Sequence, residues 1–281
     1  MPFPKHAMGA KQLAKKLAPR VWSALGALQG NSAHRGPNKH REPDEWRVTF
    51  EGRYATWGEV AALTGADAFP VASKDYRASL RTSTDDWDGY FKHHEVGLLA
   101  AVMSAMASTR SPQKTVVDFG GGYGVHFLTL LKANLIPCQW EVVELKDVAQ
   151  LGTQKWRHNR NIQFIETLES ATYRPDLVVA SGVFQYLSDP YASVRQIEAL
   201  EPSFLFLDRL PMINEDRDVY TVQRIGAAYF GVERAVPHVL FSRKRLVAEL
   251  TRDFDLVFRF QGFQDPSHED FSYEAIFLRR R

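Results

Sequence analysis

The sequence predicts an α/β fold: a seven-stranded, mostly parallel sheet whose last strand runs antiparallel, with a helical extension on its N-terminal side. Three observations predict it. Short apolar runs alternate with helical stretches from Thr115 onward. A glycine cluster, "GGGYG" at 120–124, follows the first run directly. The final two runs, "FDLVFRF" and "YEAIFLRR", have only "QGFQDPSHEDFS" between them. That is too short for a helical crossover, so those two strands pair antiparallel.

The elements follow in order. "FEGRYATWGEVAALTG" carries a capping box, Thr56 with Glu59 three residues on, and Gly65 ends that short helix. The stretch 85–109 reads as helical, with Val96, Leu99, Ala100, Met103 and Met106 on one face. "TVVDF" is the first buried strand, followed by the glycine loop and the helix "VHFLTLLKAN". "WEVVEL", "IQFIE", "PDLVVAS" and "SFLFLD" are the next four strands. Helices are expected near 147–156, at 189–200 and over "RKRLVAEL". Strand–helix alternation gives right-handed crossovers and helices on both faces of the sheet. The domain organisation read from this is a basic leader and linker at 1–46, a helical cap at 47–110, and an α/β domain at 111–281 with an insertion at about 210–241.

Composition excludes some classes. A net charge of +2 over 281 residues gives no global field for nucleic acid. No apolar run is long enough for a transmembrane helix. The lone cysteine, Cys138, rules out an internal disulfide and any cysteine cluster for zinc. It fits a reducing compartment, hence a cytoplasmic expectation. The charge is uneven, however. Lys5, Lys11, Lys15, Lys16, Arg20, Arg35, Lys39 and Arg41 precede the first acid, Glu42. With Leu13, Leu17, Val21, Trp22, Leu25 and Leu28 near helical spacing, this leader reads either as an amphipathic helix for peripheral contact with an anionic membrane, or as a partly disordered leader or a helix packed on its own domain.

In open α/β sheets ligands sit at the carboxyl ends of the strands. Glycines after the first strand let backbone approach a ligand closely. The dinucleotide pattern fails, because the third glycine position holds Val125 or Phe127. The phosphate-binding loop fails too, since no Gly-Lys-Ser/Thr follows. What remains is Asp118, one residue, then Gly120, Gly121, Gly122 and Gly124. About twenty residues on, the second strand ends near Glu144, where a carboxylate accepts hydrogen bonds from ribose hydroxyls. Two carboxylates, a ribose and no phosphate anchor describe S-adenosylmethionine better than NAD.

The segments "VDFGGGYGVHF", "WEVVELKDVAQLG", "DLVVASGVFQYLSDPYASV", "LDRLP" and "LFSRKRL" resemble class I S-adenosylmethionine-dependent methyltransferases with a Rossmann-like sheet. More closely, they resemble a family of bacterial methyltransferases associated with surface-polysaccharide gene clusters. The resemblance runs from about Phe50 to the C-terminal end and leaves the leader uncovered. It implies that Gly120, Gly122 and Gly124 pass under the methionine and ribose of the cofactor. It further implies that Asp118 shapes the loop and reaches the cofactor's amino group, that Glu144 holds the ribose, that Thr167 and Leu168 border the adenine, and that Ser181 and Gly182 face the sulfonium. Phe119 and Tyr123 depart from the small or polar residues common at those positions.

Methyl transfer is an in-line displacement that rests on alignment. A hydroxyl acceptor also gains from a general base, typically about 10²–10⁴-fold. The candidates are His238, Asp208 and Tyr186, in that order. His126 follows the loop, and His93 and His94 lie in the helix expected over the cofactor. Tyr220, Tyr229, Phe230 and Phe241 are core or acceptor-stacking aromatics. No metal-ligand spacing stands out. The expected activity is methyl transfer to a hydroxyl or amine of a small-molecule or glycan acceptor, with no nucleic-acid partner. The competing readings are a nucleotide-dependent oxidoreductase and a catalytically degenerate methyltransferase fold acting as a binding or membrane-associated module. The oligomeric state is open.

Overall fold

The computed structural model describes residues 48–64, 91–109, 114–135, 138–227, 233–262 and 270–281. All belong to one compact unit, Pro43–Arg281. The leader and linker at 1–46, Gly65, the stretch 85–90, Tyr229 and Phe230 lie outside the described residues.

The seven expected strands are present: β2 (Lys114–Phe119), β3 (Cys138–Val143), β4 (Ile162–Ile165), β5 (Leu177–Ser181), β6 (Phe204–Ile213), β9 (Phe254–Gln261) and β10 (Ser272–Arg280). They run in the order β4-β3-β2-β5-β6-β10-β9. The first five are parallel, and β10 is antiparallel to both neighbours. Among the described residues six α-helices accompany them: α1 (Trp57–Thr64), α2 (His93–Ser108), α3 (Val125–Lys132), α4 (Lys146–Lys155), α5 (Pro190–Ala199) and α6 (Arg243–Leu250).

The alternation of side chains along the strands divides the core. Val116, Leu177 and Phe206 pack with α2 and α3 on one face. Val117, Val178 and Leu207 pack with Val194 and Ile197 of α5 and Leu246 and Leu250 of α6 on the other. The caps follow the sequence. Glu59 accepts from the Thr56 amide at 2.9 Å, and Asp189 accepts from the Ala192 amide at 2.8 Å ahead of Pro190.

Two features correct the reading of the N-terminal side and the insertion. The segment before α1 is a strand, β1 (Val48–Tyr54), so 47–110 is not purely helical. The insertion holds two further strands, β7 (Val219–Ile225) and β8 (Arg234–Ser242). β7 pairs antiparallel with β1 and β8. β6 continues past the end of β5, and β8 joins it there in parallel through Met212↔Phe241 and Ile213↔Ser242. The sheet is thereby extended to ten strands.

The buried face of α2 also differs from expectation. Leu98, Ala101, Val102 and Ala105 are inside, whereas Ala100 is exposed. The helix is apolar nearly all round, so its pattern alone does not select a face. Gly97 helps to select it: a Cβ there would lie 2.3 Å from the ring of Phe260 on β9.

The extension is tied to the sheet by Asp218, which precedes β7 and is nearly buried. Its carboxylate accepts from the Ser242 amide at 2.8 Å, from Tyr191 Oη at 3.0 Å and from Arg245 at 2.8 Å. The Arg245 guanidinium also lies 4.4 Å from the centre of the Tyr191 ring.

Candidate active site

The carboxyl ends of β2, β3, β5 and β6 share one rim of the sheet. The registers Asp118↔Val142, Asp118↔Val179 and Ser181↔Asp208 bring the predicted residues to that rim. The glycine loop crosses it in left-handed conformations, with φ of 70° at Gly120 and 82° at Gly124. Both positions are also sterically closed to side chains. A Cβ at Gly120 would meet Val183 at 2.5 Å, and one at Gly124 would meet Ile162 at 2.7 Å.

Asp118 is fully buried beneath this loop. Its carboxylate accepts from Trp140 Nε1 at 3.0 Å and lies 2.9 Å from His126 Nδ1. A Cβ on Gly121 would sit 2.3 Å from the same carboxylate. Asp118 therefore supports the loop from below, with both oxygens turned inward to Trp140 and His126. Trp156 fixes the loop's other side through an indole hydrogen bond of 2.7 Å to the Tyr123 carbonyl. Tyr123 is itself buried, and Phe119 packs edge-on against Phe184.

Glu144 stands immediately after β3. Oε1 accepts from the Gly122 amide at 2.9 Å and Oε2 from the Leu145 amide at 3.0 Å. Each carboxylate oxygen keeps a further lone pair for a ligand hydroxyl. Burial raises its pKa, and these two amides oppose the rise. Leu145, next in the chain, and Val125, at the start of α3, expose apolar side chains, 62% and 47% accessible. Thr167 is exposed with its hydroxyl 3.0 Å from Ser170, while Leu168 turns into the core. Only the backbone of Leu168 is left to border a ligand.

At the end of β5, Ser181 Oγ donates to Asp208 at 2.9 Å. Arg209 donates to Ser181 Oγ at 3.1 Å and to the Ser181 carbonyl at 2.8 Å. Arg209 is a non-glycine residue at φ 56°, a conformation that costs energy and clusters at functional sites.

Of the three proton-acceptor candidates, Tyr186 and Asp208 lie near the end of β5 as expected, and His238 does not. His238 is completely buried, edge-on to Phe50 and Tyr186 at 4.9 and 5.4 Å, inside β8 rather than on a lid. Tyr186 donates to Gln223 at 2.9 Å, and burial raises its pKa. Asp208 is committed to Ser181. His94, at the start of α2, is half-buried. Its pKa is lowered by burial and by the charge of Arg209, against the opposing influence of Asp208. Among the described residues no group of histidines, cysteines and carboxylates is arranged to hold a metal ion.

A family model described as a methyltransferase domain matches residues 91–250, more than half of the chain. The chain belongs to the methyltransferase domain family. No curated protein matches it. Among solved structures, it is similar to 1,6-didemethyltoxoflavin-N1-methyltransferase from Burkholderia thailandensis, solved with 1,6-didemethyltoxoflavin and S-adenosylhomocysteine. Identity is 15%, TM-score 0.50, and coverage 85% of this chain and 98% of that one. It is also similar to the N-methyltransferase NodS from Bradyrhizobium japonicum WM9, solved with S-adenosylhomocysteine, at 14% identity and TM-score 0.46 over 71% and 93% of the two chains. A third is magnesium protoporphyrin IX methyltransferase from Synechocystis PCC 6803, solved with S-adenosylmethionine, at 13% identity and TM-score 0.47 over 67% and 80%. At these identities the likeness is one of fold. The mostly parallel seven-stranded sheet matches the Rossmann-like methyltransferase fold, and β1, β7 and β8 extend it. No helix among the described residues is long and apolar enough to cross a membrane.

Proposed function

We propose that this methyltransferase-family protein is an enzyme that uses S-adenosylmethionine to methylate a hydroxyl or amine of a small-molecule or glycan-linked acceptor. One observation carries the reading: the Glu144 carboxylate binds the Gly122 amide of the glycine-rich loop, with lone pairs to spare. The residues fit the cofactor in chemistry. Glu144 suits the ribose hydroxyls, the exposed Leu145 and Val125 suit the adenine face, and the loop leaves room for backbone contact with the methionine portion. The Ser181–Asp208–Arg209 corner suits the end of the site where the methyl group is delivered. When bound, the cofactor supplies an electrophilic methyl group. The protein's part is to align it with the acceptor. The glycan arm of the acceptor class rests on the resemblance to the polysaccharide-associated family.

Calorimetric titration with S-adenosylhomocysteine, with NADH as control, tests the reading. Micromolar binding of S-adenosylhomocysteine alone supports it. Binding of NADH alone would replace it with an oxidoreductase. Binding of neither would favour a degenerate fold.

A further inference from the structure

His94 is the ionisable group at the rim that the sequence reading left without a role. Its direction follows from its neighbours on α2. His93 meets the ring of Phe260 on β9, with centroids 5.6 Å apart. Glu95 accepts from Thr129 at 3.0 Å and Lys132 at 3.3 Å, both on α3. Successive helical residues step by about 100°. His94 therefore points between those two contacts, toward β6, against which α2 also packs. The charges that act on it agree. They are Arg209 and Asp208 midway along β6, level with the end of β5, His126 in the first turn of α3, and Glu95 on its own helix. The described part of β9 presents it with the uncharged Phe260 side.

We infer that His94 takes the proton of the acceptor during methyl transfer. The step balances simply. A lone pair of the acceptor's oxygen or nitrogen forms the bond to the methyl carbon, the carbon–sulfur bond breaks with its electrons returning to sulfur, and the acceptor's proton passes to the imidazole. His94 is half-buried on the side of α2 turned toward β6, whereas Asp208 and Tyr186 are already engaged with Ser181 and Gln223. Burial and the charge of Arg209 lower its pKa, which favours the neutral ring.

The inference rests on the cofactor reading, and its test separates the two. S-adenosylmethionine and S-adenosylhomocysteine differ by a methyl group and one positive charge on sulfur. The His94 imidazole would be titrated by NMR in the full chain, bound to each in turn, with its resonance assigned by its loss in His94→Gln. A base near the transferred methyl feels the sulfonium as a like charge. Its pKa should then be lower in the S-adenosylmethionine complex by about 0.5 or more. Equal values in the two complexes would overturn the role of His94 and leave the cofactor reading standing. His94→Gln should bind S-adenosylhomocysteine within about twofold of the unaltered protein. A tenfold loss would make His94 a cofactor-binding residue and sink the proposal. Failure of the unaltered protein to bind S-adenosylhomocysteine would overturn both.

Discussion

The guanidinium of Arg209 lies against the backbone of Gly182, so closely that a Cβ at Gly182 would be 2.8 Å from Arg209 Cζ. The arginine thereby holds both Ser181 oxygens from the next strand. This corner joins the end of β5 to the middle of β6, where the reacting groups are expected. Gly182→Ala would push the guanidinium out and strain a backbone at φ 70°. The expected result is a folded protein that binds S-adenosylhomocysteine within about threefold of normal yet loses at least about tenfold in methyl transfer. Calorimetry alongside single-turnover assays with an identified acceptor separates the two effects. An unchanged turnover would remove this corner from the reacting end of the site.

Glu144 carries a different expectation. On the proposed cofactor reading, Glu144→Ala would remove two charge-assisted hydrogen bonds to the ribose, each worth roughly 1.5–3 kcal/mol. Affinity for S-adenosylhomocysteine should fall at least tenfold, with the circular dichroism spectrum preserved. Unaltered affinity would take Glu144 out of the site.

The same residue sets a pH dependence. Its pKa is raised above 4.5 because burial disfavours the charged form. On acidification it therefore becomes protonated earlier than an ordinary glutamate. S-adenosylhomocysteine binding should weaken as pH falls from 7 through the region above 4.5, and Glu144→Ala should lack this limb. Parallel pH profiles for the two proteins would contradict it.

Gly121→Ala probes the support beneath the loop. Its Cβ would strike the Asp118 carboxylate, which the indole of Trp140 and the ring of His126 hold in place. A destabilisation of about 1–3 kcal/mol is expected from overpacking, together with weakened cofactor binding. Urea denaturation measures the first and calorimetry the second. A variant as stable as its parent would mean that Asp118 moves aside freely.

Asp218→Ala should act on stability alone. It strips partners from the Ser242 amide and the Tyr191 hydroxyl and ends the Arg245 ion pair. The Arg245 side chain is 55% exposed, so the ion pair itself contributes little. The buried amide accounts for most of an expected loss of about 1–3 kcal/mol in denaturant titration. S-adenosylhomocysteine affinity should stay within twofold, and a larger change would link the extension to the cofactor site.

What was legible in the sequence depended on distance along the chain. Strands β2 to β6 show themselves because each is a short apolar run, and β2, β3 and β5 are each followed by a helix. The loop and Glu144 show themselves because their spacing is local. β1 and β7 were missed because each is half-polar and gains its partner only from the far side of the fold. β8 was disguised by Pro237 inside the run "RAVPHVLFS", a residue that argues against a central strand. With β8 unseen, His238 looked like a loop histidine, whereas strand alternation drives it between Phe50 and Tyr186. The inward turn of Asp118 was hidden for a similar reason, since Trp140 and His126 reach it from two other elements. His94 was visible as a residue, but its orientation is set by Phe260 and Thr129, neither of which its local pattern names.

The pairing of β1 with β7 has a consequence for how the chain is made. Thr221 Oγ1 donates to the Glu51 carbonyl, 170 residues earlier. At typical elongation of about 5–20 residues per second, β1 leaves the ribosome roughly 10–30 s before its partner. Throughout that interval β1 has no ladder of its own to join, and the parallel sheet grows without it. Closure of β1 on β7 is then among the last events of folding, made across a long loop whose entropy slows it. A nascent chain stalled before Val219 should remain open to protease at β1 while its βαβ core is already protected.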